Sequence, residues 1–174
     1  EVSIDTLIEE ETQSAKKLIL AVAPTKNMAR FEWVVEKAVE VGVDEIMPLQ
    51  CEHSERVFIK AERLHRIALS AAKQSKALFL PLIHELQSVK EAFKIEADNK
   101  WIAHCKTADK ASILALSQNQ GSQIIFIGPE GDFSQEEIDL AVTLGFKEVS
   151  LGEKRLRTET AAIAAIIASN VFQA

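Results

Sequence analysis

The sequence predicts an α/β domain on a mostly parallel sheet. Three observations carry that expectation: short apolar runs without polar alternation, stretches of helical period between them, and repeated strand–helix alternation along 174 residues. Residues 17–23 (KLILAVA) form a nearly continuous apolar run, as a strand buried on both faces would. Pro24 ends it, and Asn27 can cap the following helix through its side-chain oxygen. In that helix Phe31, Val34, Val35, Ala38 and Val39 make one apolar stripe, and Gly42 is a plausible stop. Residues 45–50 read as a second strand, and 60–76 as a basic helix. Strands over 100–105 and 123–127 follow, with a helix expected between them at 110–117. Ser134 and Glu137 stand at the spacing of a capping box, starting a helix that runs to Gly145. A strand over 147–151 and an Ala/Ile-rich helix from about Thr160 to Phe172 close the chain.

Composition excludes several classes. Hydrophobic residues make up 47% and charged residues 26%, with only 6 Gly and 4 Pro, so neither a collagenous nor a disordered chain is expected. No apolar run approaches the roughly 20 residues of a membrane span, so no membrane partner is expected. The net charge of −6 gives no global support for nucleic-acid binding, so any such contact needs a local basic patch. Two cysteines are too few for a disulfide scaffold and suit a reducing, cytoplasmic setting.

Chemistry is expected where glycines follow strands. Gly128, Gly131 and Gly152 lie just past two predicted strand ends, where parallel sheets bind ligands and where glycine lets backbone approach them. Neither turn matches a dinucleotide or phosphate-loop fingerprint. Cys51, His53, His104 and Cys105 lack the usual zinc spacing, so no metal is expected. Trp33 and Trp101 read as core more readily than as stacking platforms. The helix over 60–76 carries Lys60, Arg63, Arg66, Lys73 and Lys76 against Glu62. With Arg56 before it, that surface reads either as a solvated face or as a contact for an RNA backbone.

Two long motifs, IGPEGDFSQEEIDLA and GFKEVSLGEKRLRTETAAIAA, resemble the C-terminal signature of the RsmE family of small-subunit rRNA methyltransferases. The segments APTKNMARFEWVVEKAVEVGVDEIMPL, SERV and SAAKQS fit the same order, and the resemblance spans about residues 18–172. It implies a SPOUT-type α/β knot with a deep trefoil knot at the C-terminus. It also implies a homodimer, S-adenosylmethionine as cofactor, and methylation of N3 of a uridine in 16S rRNA of the small ribosomal subunit; DNA is not an expected partner. Residues 1–16 would then be a tail or the remnant of a PUA-like RNA-binding domain, and 17–174 the methyltransferase domain.

The resemblance implies a cofactor held by three strand-end loops, over 104–107, 128–131 and 150–156, and by the start of the last helix. Its residues would be His104, Ile127, Gly128, Pro129, Gly131, Ser150, Leu151, Gly152, Leu156, Thr160 and Ala161. Arg157 would stabilise charge on the pyrimidine oxygens, or else brace its loop in a salt bridge. Glu130 and Glu159 are the carboxylates available to remove the N3 proton or to position Arg157. The sequence departs from the family pattern at Asp132, where a second glycine is usual, and at Glu153-Lys154-Arg155. These departures leave a second reading open, a non-catalytic RNA- or nucleotide-binding assembly module with the same fold.

Overall fold

The computed structural model describes residues 17–106, 109–118 and 120–170; the expected N-terminal tail, Thr107 and Phe172 lie outside them. Strand β1 (Leu18–Val22) is buried along its whole length and sits inside the sheet, between β2 (Glu45–Gln50) and β7 (Gln123–Ile127). With β3 (Leu82–Ile83), β5 (Asn99–Ala103), β6 (Ala111–Ser112) and β8 (Lys147–Ser150), the strand order is β3-β2-β1-β7-β5-β8-β6, with β4 (Gln87–Ser88) also on β2, and every pairing is parallel. The edge beyond β2 is the short β3. On the far side β5, β8 and β6 complete the sheet. The predicted class and its mostly parallel sheet are therefore present.

Alternation along β1 sorts the core into two layers. Leu18, Leu20 and Val22 face α1 (Met28–Val41), α2 (Ala61–Ser75) and α5 (Thr158–Asn170). Ile19 and Ala21 face the other layer, which holds α3 (Val89–Ala92) and α4 (Gln135–Thr143). There Phe93, Phe126 and Phe146 pack with ring centroids 4.9 to 5.1 Å apart, within the range of favourable aromatic contact. Both faces of the sheet are covered, which is why its strands read as continuous apolar runs.

Asn27 caps α1 as expected, its side chain accepting from the Ala29 N–H. The helix expected at 110–117 is absent. Ala111 and Ser112 instead pair with Val149 and Ser150 of β8, and residues 113–118 form a 3₁₀ segment. Once two residues are spent in the sheet, the remaining six close as a 3₁₀ segment, a form used in short pieces. The last helix begins at Thr158, two residues earlier than expected. Residues 82–92, which carry no period of their own, supply β3, β4 and α3.

Candidate active site

Because all strands run the same way, the loops leaving β5, β7 and β8 gather at one end of the sheet. They enclose a cavity of about 660 Å³, a size common for small-molecule sites. Its wall includes His104, Ile127, Gly128, Pro129, Glu130, Ser150, Leu151, Gly152, Leu156, Arg157 and Ala161. The three loops expected to share a ligand do meet. Ile127, Val149, Leu151 and Leu156 bring apolar surface, while Arg155 and Arg157 bring charge.

The β7 loop is held from several sides. Asp132 has φ of +66°, a conformation in which glycine is usual, and its carboxylate makes that geometry useful. One oxygen accepts the Phe133 N–H at 2.9 Å and the other accepts the Cys105 N–H at 2.8 Å, fastening the β5 loop to the β7 loop. Gly131 does not line the cavity; its place is packing, since a Cβ there would lie 2.8 Å from the Cβ of His53. His53 in turn contacts the Asp132 carbonyl through Nδ1 at 3.0 Å. The capping box forms as expected and does more. Glu137 accepts the Ser134 N–H at 2.9 Å with one oxygen and the Glu52 N–H at 2.8 Å with the other, tying the β2 loop to α4. The buried Thr158 hydroxyl donates to the Gly128 carbonyl at 3.0 Å, joining α5 to the same loop.

The expected catalytic residues separate. Arg157 is exposed on the cavity wall, as is Glu130, whose Oε1 accepts the Lys26 N–H at 3.0 Å. Glu159 does not line the cavity and does not brace Arg157. Its Oε1 lies 3.6 Å from Nη1 of Arg30 on α1, while its Oε2 is buried without a partner. Thr160, also away from the wall, is exposed in the first turn of α5.

The expected RNA-contact residues stand apart from this cavity. Lys60 and Lys76 cap α2 at its two ends, and Arg66 and Lys73 are exposed along it. Arg63 is committed to Glu32 of α1, with Nη2 at 2.7 Å from Oε2, and Arg56 donates to the Lys26 carbonyl at 2.6 Å. Trp101 is core, whereas Trp33 is partly exposed on α1. Burial, with Glu137 nearby, pushes the Cys51 thiol well up, so it is an unsuitable thiolate ligand. Among the described residues no group of three or more His, Cys, Asp or Glu is placed to hold a metal ion.

Sequence reasoning missed Lys110, whose Nζ donates to the His104 carbonyl at 2.5 Å, and Glu148, which meets the His104 ring. Both arrive through the short β6 and the β8 register, for which the local sequence holds no marker.

A parallel α/β sheet with a ligand cavity built from three strand-end loops defines the class of protein, and the comparisons give the family. Residues 12–170 match the model of an RNA methyltransferase domain. A ribosomal RNA small subunit methyltransferase E of Mesomycoplasma hyopneumoniae is 33% identical over 90% of this chain and 70% of its own length. The crystal structure of a Porphyromonas gingivalis protein described as a probable rRNA-methyltransferase superposes with a TM-score of 0.86 at 41% identity, over 91% of this chain and 68% of that one. A Neisseria gonorrhoeae ribosomal RNA small subunit methyltransferase E bound to S-adenosyl methionine gives 0.78 at 30%, over 93% of this chain and 68% of that one. The chain belongs to this RNA methyltransferase domain family, and the resemblance to RsmE proteins is borne out. It spans only part of its curated relatives, down to 56% of the length of one of them.

Proposed function

We propose that this chain is the cofactor-binding and catalytic domain of an S-adenosylmethionine-dependent methyltransferase acting on N3 of a uridine in 16S rRNA. The observation that carries the reading is the cavity itself: three strand-end loops, two of them glycine-bearing, meet with apolar walls between them and arginines at the edge. The residues present fit a nucleoside cofactor. Backbone of Gly128, Pro129, Ser150 and Gly152 can pair with a base edge, while Ile127, Leu151, Leu156 and Ala161 supply its apolar bed. When bound, the cofactor supplies an electrophilic methyl group.

The protein's task is to orient N3 toward that methyl group and to favour the anion. Arg157, always protonated, donates to the pyrimidine oxygens and spreads the charge that builds as the N3 proton leaves. Glu130, which shares the cavity wall with Asp132 and Glu153, receives that proton. Glu159 orders Arg30 instead.

In this reading the C-terminal stretch threads as the trefoil knot of SPOUT proteins and two copies pair in the cytoplasm. The low charge of α5, with Ile163 half-buried and Ile167 exposed, supports pairing through that helix. The exposed cations of α2 and Arg155 beside the cavity would share the RNA backbone. Incubating small ribosomal subunits with methyl-labelled cofactor and the full-length protein tests the reaction. Label at N3 of a uridine is expected, reduced by about 100-fold or more in Arg157→Ala. Cofactor binding with no label transferred would favour the non-catalytic module.

A further inference from the structure

We propose that His104 is a recognition residue for the ligand of this cavity, its Nδ1 accepting a hydrogen bond from an N–H or O–H donor while Glu148 fixes the ring that offers it. The inference rests on reading the cavity as a nucleoside-cofactor site, and it adds a neutral side-chain acceptor to the backbone groups offered to the cofactor.

Geometry assigns the role. His104 stands on the wall of the cavity and of a smaller one beside Glu148, with its side chain only 1% exposed. Its Nε2 lies 2.8 Å from Glu148 Oε1. A carboxylate only accepts, so Nε2 carries the hydrogen and a neutral ring then presents a bare Nδ1. That atom is buried without a partner, a costly and uncommon state for a polar group. Lys110 donates to the His104 carbonyl and makes no hydrogen bond to Nδ1. Nor do the described residues around it provide companions for a metal ion. A donor arriving in the cavity is the partner that completes the ring.

Charge in the surroundings agrees. Burial and then Lys110 hold the imidazole below its ordinary range, against the opposing pull of Glu148 on β8 and Asp132 after β7. Lys106 and Asp139 of α4 line the smaller cavity on the same ring. His104 is therefore neutral at pH 7. Acidification protonates Nδ1, turns the acceptor into a donor, and removes the bond.

Equilibrium dialysis of labelled S-adenosylmethionine against the full chain tests this. His104→Phe is expected to bind about tenfold more weakly while its Tm stays within a few degrees of the parent. Parent affinity is expected to be level from pH 8 to 7 and to fall only below the ordinary histidine value of about 6.5. That acid limb should vanish in His104→Phe and move to lower pH in Glu148→Gln, which loses the charge favouring the imidazolium. Undiminished binding by His104→Phe would overturn the proposal, and so would an acid limb unmoved by Glu148→Gln. The second outcome can be read even if the phenylalanine variant does not fold. Absence of binding by the parent at every pH would instead overturn the cofactor reading beneath it.

Discussion

Asp132 is the residue at which a departure from the family pattern becomes informative. An aspartate where a second glycine is usual suggests a stiffer loop, and the left-handed backbone there costs on the order of 1 kcal/mol for a side-chain-bearing residue. Its carboxylate offsets that cost by accepting two backbone N–H groups, from Phe133 within the loop and from Cys105 of the β5 loop. Asp132→Ala keeps the strained backbone and loses both bonds, so the chain should lose about 2 kcal/mol in urea unfolding and bind the cofactor more weakly. Gly131→Ala should cost about 1–3 kcal/mol, because the added Cβ would meet His53 at 2.8 Å. Thermal unfolding of the single substitution checks it; an unchanged Tm would mean that the β2 loop yields freely. The glycines were legible in sequence as places where backbone must come close. That Gly131 serves His53 rather than the cavity was not, since the two positions are distant in the chain.

Among the elements, those with local signatures were legible and those set by pairing were not. Asn27 and Ser134 mark their helices because a short polar side chain can satisfy the first N–H groups wherever the helix lies. The 3₁₀ segment after β6 had no such marker, since its conformation follows from parallel pairing of Ala111 and Ser112 with β8. The same absence hid β3 and β4, two-residue strands that exist only through β2. Glu137 joins both kinds of information: its capping role is local, while its bond to Glu52 crosses 85 residues. Glu137→Ala should therefore cost more than an ordinary cap, about 2–3 kcal/mol in chemical unfolding. A loss near half a kcal/mol would show that the Glu52 bond adds little. Likewise Arg157 could be picked out from its motif, but the pairing of Glu159 with Arg30 depends on how α5 lies against α1.

Across the whole molecule, the sheet that positions the cavity is also anchored at its opposite end. Glu45 is buried where β2 begins, paired with Lys17 ahead of β1 and with His84 Nε2 at 2.7 Å beyond β3. Burial alone would raise its carboxyl, but hydrogen bonds from Lys17 and His84 outweigh burial and hold it below the ordinary range. With the folded value depressed, its stabilisation is fully present above the unfolded value of about 4.3 and is lost as pH falls through the folded one. Urea midpoints measured from pH 6 to pH 3 should fall with acid. Glu45→Gln should weaken the parent at pH 6 by about 2 kcal/mol and flatten part of that slope. A parallel slope in the variant would place the acid sensitivity elsewhere.

At the other end of this sheet the loops form the proposed site for a nucleoside sulfonium cofactor, and isothermal calorimetry with S-adenosylhomocysteine tests that site most directly. Saturable binding at one site per chain is expected, weakened at least tenfold by Gly152→Val, whose branched side chain is incompatible with φ of +134° in the β8 loop. Absence of binding by the parent at millimolar ligand, or equal affinity in the two proteins, would contradict it.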